Sequence, residues 1–398
     1  MKICLHTNWE IIPKYIGGTE RFLINLSKDL KALGHEPFIV CSSKTKETYI
    51  EGIKVLGRFI DDFSTKEYPY FSSAFIKNEI IGEKYSIDSL KRISAYTLRQ
   101  LEGIDADIYH FNSFISASFI PVKPNYVVTN HENNHEYDWY WGEGFFNFLK
   151  ESVFNKETYL HEYKNLFTPS SFYASYFSQA FNINVNAINL GVPLNTFLIE
   201  PKENELKKEY AFDSDEIVIL LPSRFQPFQK GHDVALKACA ILKNKGIKFK
   251  VIFTGVKKSS EKYRSGFDDI VFKYNLQKFV KVITFPEIQE AYRNVDIVIS
   301  PERYCSFGLS ISESLSLGIP TVLSDIPTYK EIATGFNHAF FFKNESPENL
   351  AEKLIEVTNN LKRFPYEAVK FRMKYDLREC AKEYSAIYIK NALQSIEI

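Results

Sequence analysis

The sequence predicts an α/β protein built from two doubly wound parallel-sheet domains, and three observations carry that expectation. Short apolar runs of strand character alternate with amphipathic stretches along nearly the whole chain. The alternation breaks into Pro, Asn and charge at about residues 192–210 and then restarts. The chain has 398 residues, more than the size at which a single hydrophobic core usually divides.

The elements follow in order. KICLHTN reads as a short buried strand, and after the loop WEIIPKYIGG the residues Phe22, Leu23, Leu26, Leu30 and Leu33 recur at helical spacing until Gly34 stops the helix. PFIVC is the next strand, and DIYHFNS, NYVVTNH and NLFTPSS continue the series. In the second half IVILLPS, FKVIFTG, VKVIT, DIVISP and PTVLSD read as strands, with helices in GHDVALKACAILKNKG and IQEAYRN. One segment conflicts with its own period: Leu309 to Leu317 alternates apolar and polar as a strand does. The strands at about 296–300 and 320–324 can lie parallel only across a crossover, so a helix is expected there, its serines allowing close approach to a ligand. The domains are expected at 1–195 and 196–377, with the ligand cleft between the carboxyl ends of their facing strands.

Composition excludes several classes. Lysine plus arginine number 49 and aspartate plus glutamate 49, so no net field draws the chain to nucleic acid or anionic lipid. The longest apolar runs fall short of the ~18 residues of a membrane span, and MKICLHTNWE turns polar too soon for a signal peptide, so a cytoplasmic location is expected. Cys4, Cys41, Cys239, Cys305 and Cys380 contain no C-x-x-C pair, which points to reduced thiols. The 15% aromatic content is compatible with sugar-stacking surfaces but is expected mainly in the core.

The stretch VVTNHENNHEYD contains His131-Glu132-Asn133-Asn134-His135, which matches the H-E-x-x-H pattern of zinc hydrolases. That chemistry needs both imidazoles on one helical turn. Here the motif directly follows a strand and contains two asparagines, which disfavour a helix interior; for a third ligand there are Glu157 and Glu162 alone. No metal is expected, and His131 is read as a residue at a strand end, where cleft residues lie.

Three segments suit an anion. Gly17-Gly18-Thr19-Glu20 joins the first strand to the first helix, where backbone amides and the helix start can hold a phosphate. SRFQPFQKGHD places Arg224 and Lys230 just beyond a strand at the head of a helix, a pairing suited to a diphosphate. PERYCSFGLSISESLSLG puts Gly308 at a loop-to-helix junction, the amides of Phe307, Gly308, Leu309 and Ser310 facing a second phosphate edge and Glu313 within reach of a ribose diol.

With those segments in this order the chain resembles the retaining nucleotide-sugar glycosyltransferases of family 4, which have the GT-B fold. The likeness is carried by GGTERFLINLSKDLKALGHE, TNHE, TPSS, NLGVPLNTF, SRF with the following KG, FTG, AYRNVDIVISP and FGLSISESLSLGIPTVLSDIP. It implies an acceptor-binding amino-terminal domain, a donor-binding carboxy-terminal domain, and a final helix at 378–398 that braces the first domain. It implies Gly17 and Gly18 near the donor phosphates, Arg224 and Lys230 on the leaving diphosphate, and Glu313 on the ribose. Ser223, Gly255, Cys305, Phe307, Gly308, Leu309 and Ser310 fall at donor-binding positions; His131 reaches the sugar near the reacting carbon, with Glu132, His110 and Thr19 on the acceptor side. On this resemblance the zinc pattern is a coincidence completed by His135.

Two departures stand out. The family commonly has a glutamate where Cys305 stands, eight positions before Glu313, and Glu302 lies near but out of phase. One extra residue separates Arg224 from Lys230. The function implied is retaining transfer of a hexose-type sugar from UDP or GDP to a hydroxyl of a glycan or lipid-linked acceptor. It uses no cofactor, and it leaves room for peripheral contact at the inner face of the membrane. The competing readings are a sugar- or nucleotide-binding protein with weak or lost turnover, motivated by Cys305, and a nucleotide-sugar phosphorylase or epimerase.

Overall fold

A computed structural model describes residues 1–11, 17–59, 86–141, 144–153, 158–193, 205–226, 228–255, 263–285 and 288–396. The chain divides into two compact units, Met1–Leu190 with Leu377–Ile398, and Gly191–Asp376. Most of the expected linker, 194–204, lies outside the described residues.

In unit 1 the strands β1 (Lys2–Thr7), β2 (Glu36–Cys41), β3 (Glu47–Ile50), β4 (Ile53–Gly57), β5 (Ile108–Phe111), β6 (Tyr126–Thr129), β7 (Leu166–Thr168) and β8 (Asn186–Ala187) form one sheet, in the order β3-β4-β2-β1-β5-β6-β7-β8. All pairings are parallel except β3 with β4. Helix α1 (Gly18–Ala32) buries Phe22, Leu23, Leu26 and Leu30, the face expected from their spacing, while Leu33 is exposed. Gly34 follows at φ +86°, a left-handed stop that glycine adopts without a Cβ penalty. Much of the aromatic content is core: Phe111, Phe114, Tyr137, Phe145 and Phe177 are fully buried and pack together. The helix α2 (Leu377–Ile396) belongs to this unit and packs on α1.

In unit 2 the strands β9 (Ile217–Leu221), β10 (Phe249–Phe253), β11 (Val280–Val282), β12 (Ile297–Ser300), β13 (Thr321–Ser324) and β14 (Ala339–Phe342) form a parallel sheet in the order β11-β10-β9-β12-β13-β14. The apolar, β-branched runs of β9, β12 and β13 are buried on both faces, as a covered parallel sheet requires. The Leu309–Ser316 segment is a helix, so the crossover overrides the local period of two. Its serines correct one expectation. Ser312, Ser314 and Ser316 face the protein rather than a ligand, fully buried and bonded to Gly308 O, Thr321 Oγ1 and Glu313 O at 3.0, 2.7 and 2.7 Å.

Each sheet reverses its winding at one place. The reversal lies between β1 and β5 in unit 1 and between β9 and β12 in unit 2, and the carboxyl ends at such a point are where doubly wound sheets bind ligands.

Candidate active site

In unit 2 the loops leaving β9 and β12 are locked together by backbone contacts. Gly231, at φ +65°, sits so close to Pro301 that a Cβ would lie 1.9 Å from its carbonyl oxygen, and Arg303 N donates to Gln229 O at 3.0 Å. Gly231→Ala is therefore expected to lower the stability of unit 2 by about 2 kcal/mol or more, read as a drop in its thermal melting temperature. The loop leaving β10 backs onto the same place: a Cβ on Gly255, φ +74°, would meet Ser223 O at 2.2 Å, and Phe225 N donates to Gly255 O at 3.2 Å. Ser223 and Gly255 thus shape the β9 exit.

Lys230 follows on that loop, its side chain 13% exposed, with its Nζ 2.7 Å from Oε1 of the buried Glu302. Arg224 is exposed. Between the two, the exposed ring of Phe228 lies 4.5 Å from the Arg303 guanidinium. Arg303 also holds Asp233 through two hydrogen bonds of 2.9 and 3.0 Å and Glu345 at 2.6 Å. Burial alone would raise the Asp233 carboxyl, but the bonds and charge of Arg303 outweigh it and hold it below the usual range.

Gly308 opens the Leu309–Ser316 helix at φ +101°, with Tyr329 where a Cβ would point. The first-turn amides of that helix carry the partial positive charge of a helix start. Leu309, Ser310 and Glu313 are half-buried, and Phe307 is buried. Glu313 Oε2 accepts from Tyr292 Oη at 3.0 Å. Burial, then the neighbouring Glu313 charge, holds the Tyr292 phenol well above its usual range, so it stays a donor. Cys305 is buried, its Sγ 3.5 Å from Thr328 Oγ1. Burial pushes its thiol far up, so it is a neutral group and cannot replace a carboxylate.

In unit 1, His131 lies one residue past Asn130 at the end of β6 and is 9% exposed. Asn112 Nδ2 donates to His6 O and His110 O at 3.1 and 3.2 Å, which turns Asn112 Oδ1 toward His131 Nε2 at 3.0 Å. The imidazole therefore carries its proton on Nε2, and Nδ1 is a buried acceptor with no hydrogen-bond partner among the described residues. Burial lowers its pKa to about 3, so it works as a neutral group. Glu132 is pushed up to about 8 by burial and then by Glu136, and it borders a cavity of about 20 Å³ at the β1/β5 reversal with His6, Asn8, Asn112 and Ser116.

The remainder of the zinc pattern has a structural explanation. Asn133 Oδ1 accepts from Glu136 N at 2.9 Å and Glu136 Oε2 from Asn133 N at 3.2 Å, a reciprocal capping box at the start of the helix Asn134–Trp141. His131 precedes that helix and exposed His135 lies within it, so the two imidazoles do not share a helical turn. Among the described residues no group of three or more His, Cys, Asp or Glu is arranged to hold a metal ion. Glu157 lies outside the described residues.

Two further positions differ from expectation. His110 is not at an acceptor surface: it is fully buried, its Nδ1 2.7 Å from Tyr388 Oη on α2 and its Nε2 2.7 Å from Thr129 Oγ1. It ties α2 to the sheet, and burial lowers its pKa to about 3. At the start of α1 a carboxylate is already present, because Glu20 folds back until its Oε2 lies 2.4 Å from where a Gly17 Cβ would stand. Gly18 is exposed and Thr19 half-buried in the first turn. Glu302 was the residue that motif phase did not select.

Two doubly wound units, the second with a lysine and a glycine-opened helix start at its winding reversal, define a two-domain α/β protein. Residues 16–196 match the model of Glycosyltransferase Family 4 and residues 202–369 that of Glycosyl transferases group 1. The chain belongs to glycosyltransferase family 4 and has the GT-B fold. The lipopolysaccharide core biosynthesis mannosyltransferase LpsB of Rhizobium meliloti is 35% identical over 48 residues, 12% of this chain and 14% of that protein. Curated relatives are matched over 14% and 47% of their lengths, so the chain spans less than half of each. Among solved structures, a glycosyltransferase from Rickettsia africae is similar at 20% identity and a TM-score of 0.69, covering 98% of both chains. HepE from Anabaena, in complex with UDP and glucose, is similar at 15% identity and a TM-score of 0.64, covering 97% of this chain and 98% of that one. No helix among the described residues is long and apolar enough to cross a membrane.

Proposed function

We propose that the protein is a retaining glycosyltransferase that moves a hexose-type sugar from a UDP or GDP donor to a hydroxyl of a glycan or lipid-linked acceptor. The observation that carries this reading is the winding reversal of unit 2, where the β9 and β12 exits bring Lys230 and the β12 carboxylate Glu302 within 2.7 Å ahead of the helix start at Gly308. A diphosphate is the ligand that uses an ammonium and free helix amides together. Lys230 and exposed Arg224 stabilise the charge that grows as the anomeric C–O bond to the phosphate breaks. The acceptor oxygen bonds to the same face, and its proton passes to the departing phosphate oxygen. Two side-chain cations supply this stabilisation without a metal or cofactor. Glu313, oriented by Tyr292, accepts from the ribose, and Ser223, Gly255 and Phe307 to Ser310 shape the donor site. His131, as a neutral imidazole, serves the sugar, with Glu132, Gly17, Gly18 and Thr19 in the same reading. The UDP and glucose bound to HepE support a nucleoside diphosphate sugar, and LpsB supports a cell-surface glycan as acceptor. Peripheral contact with the membrane fits a lipid-linked acceptor.

Thermal melting with UDP, GDP and ADP sugars, with and without a chelator, tests the reading. A rise with a UDP or GDP sugar that survives chelation is expected, since a ligand of the native state raises apparent stability. No rise with any of them overturns it. Cys305, a neutral buried thiol at the family's glutamate position, favours a second reading, a sugar-nucleotide-binding protein with weak turnover. Donor binding without transfer or hydrolysis across an acceptor panel would select it.

A further inference from the structure

Glu302 is one of the most deeply buried carboxylates in unit 2, 2% exposed, at the second position beyond β12. Its place is fixed from several sides. Its own carbonyl accepts from Ser324 Oγ at 2.6 Å, and the preceding Pro301 is wedged against Gly231. Its Oε1 meets Lys230, while its Oε2 is buried and has no hydrogen-bond partner among the described residues. The other cation of this loop, Arg303, is committed to Asp233 and Glu345. A buried carboxylate with one oxygen unbonded is unfavourable, and an apolar side chain would fill the β12 exit at least as well. Its presence is explained if its charge is used, and the group that uses it is Lys230.

We propose that Glu302 is a positioning residue for Lys230, holding the ammonium in one geometry before the donor arrives. The inference rests on the donor-site reading above. A lysine side chain is a flexible four-carbon stem whose ammonium has three donors. Glu302 takes one of them, so the stem is ordered and the other two hydrogens are left for phosphate oxygens. Such preorganisation acts on the barrier more than on ground-state binding, because the charge on the departing phosphate is still growing at the transition state. The acid of this loop therefore stands at 302, where Cys305 at the family's position offers none.

The test is a double-mutant cycle in the full chain with E302Q, K230M and both together, reading UDP and GDP affinity by calorimetry and donor turnover at saturation. E302Q is expected to lower kcat about tenfold while the nucleoside diphosphate dissociation constant changes less than about threefold. In the K230M background E302Q should have no further effect on either quantity, and E302D should recover part of the lost turnover. Equal losses from E302Q with Lys230 present and absent would overturn the proposal, as would full turnover in E302Q. Where K230M alone melts early, the double variant, which removes both charges, keeps a folded background, and it is compared with E302Q for diphosphate affinity. A wild-type chain that binds neither UDP nor GDP would instead overturn the donor-site reading on which the proposal stands.

Discussion

Replacing Lys230 by alanine is expected to lower turnover about a hundredfold or more, a barrier increase on the order of 3 kcal/mol. The effect is large because the side chain is only 13% exposed, at a place where water does not screen it strongly. The loss should appear in kcat as well as in kcat/KM, since the interaction strengthens as the leaving phosphate gains charge. Removing the cation also leaves Glu302 buried without its counter-ion, which is destabilising. Melting temperature must therefore be measured beside turnover. Rates corrected for folded fraction that match the wild type would contradict the assignment.

The second large effect is on stability against pH, and it has two limbs in unit 1. His6, His110 and His131 are buried neutral, with pKa values lowered by burial to about 4, 3 and 3. Because the folded state binds their protons less well than the unfolded state, their stability contribution is complete above about pH 6.5 and is lost as pH falls toward those values. By pH 5 each has lost about 2 kcal/mol, or about 6 kcal/mol together. Glu132 acts in the opposite sense: its folded pKa is raised to about 8, so its penalty is absent below about pH 4.5 and grows as pH rises to 8. Between pH 6.5 and 5 alone the histidines lose about 5 kcal/mol together and Glu132 returns about 2, leaving a net loss of about 3, a large part of a typical domain stability. Above pH 6.5 Glu132 alone costs about 2 kcal/mol by pH 8. Unit 1 is thus expected to be most stable at about pH 7, and E132Q should remove the decline on the alkaline side. Melting temperatures from pH 4 to 9 check both limbs. A profile flat down to pH 4.5, or E132Q following the wild type from pH 6.5 to 9, would contradict the burial argument.

The alternation of strands and helices was legible because periodicity reports which face an element buries. The Leu309–Ser316 helix was legible only from topology, since a crossover between two parallel strands outranks a local period. What stayed hidden depends on contacts between residues far apart in the chain. His110 lies within β5 and His131 just past β6, and His110 is tied to α2 through Tyr388, beside the bond of Thr129 to Tyr384. Glu302 is out of phase with Glu313 along the chain, and only the wedge of Gly231 against Pro301 brings it to Lys230. The capping box of Asn133 and Glu136 was different, because an Asn three residues before a Glu is a readable helix-start signal. It accounts locally for the segment that imitated a zinc motif. The edge strands β3 and β14 gave short, weakly patterned signals that a period of two does not isolate.

The central claim is that the β9 and β12 exits of unit 2 hold the diphosphate of a nucleotide sugar. Its most direct measurement is a crystal structure of the full chain with UDP or GDP bound. The account predicts phosphate oxygens within hydrogen-bond distance of Lys230 Nζ and of the backbone amides at Leu309 and Ser310, with the ribose on Glu313. A diphosphate bound elsewhere, with Lys230 still engaged by Glu302 alone, would contradict it.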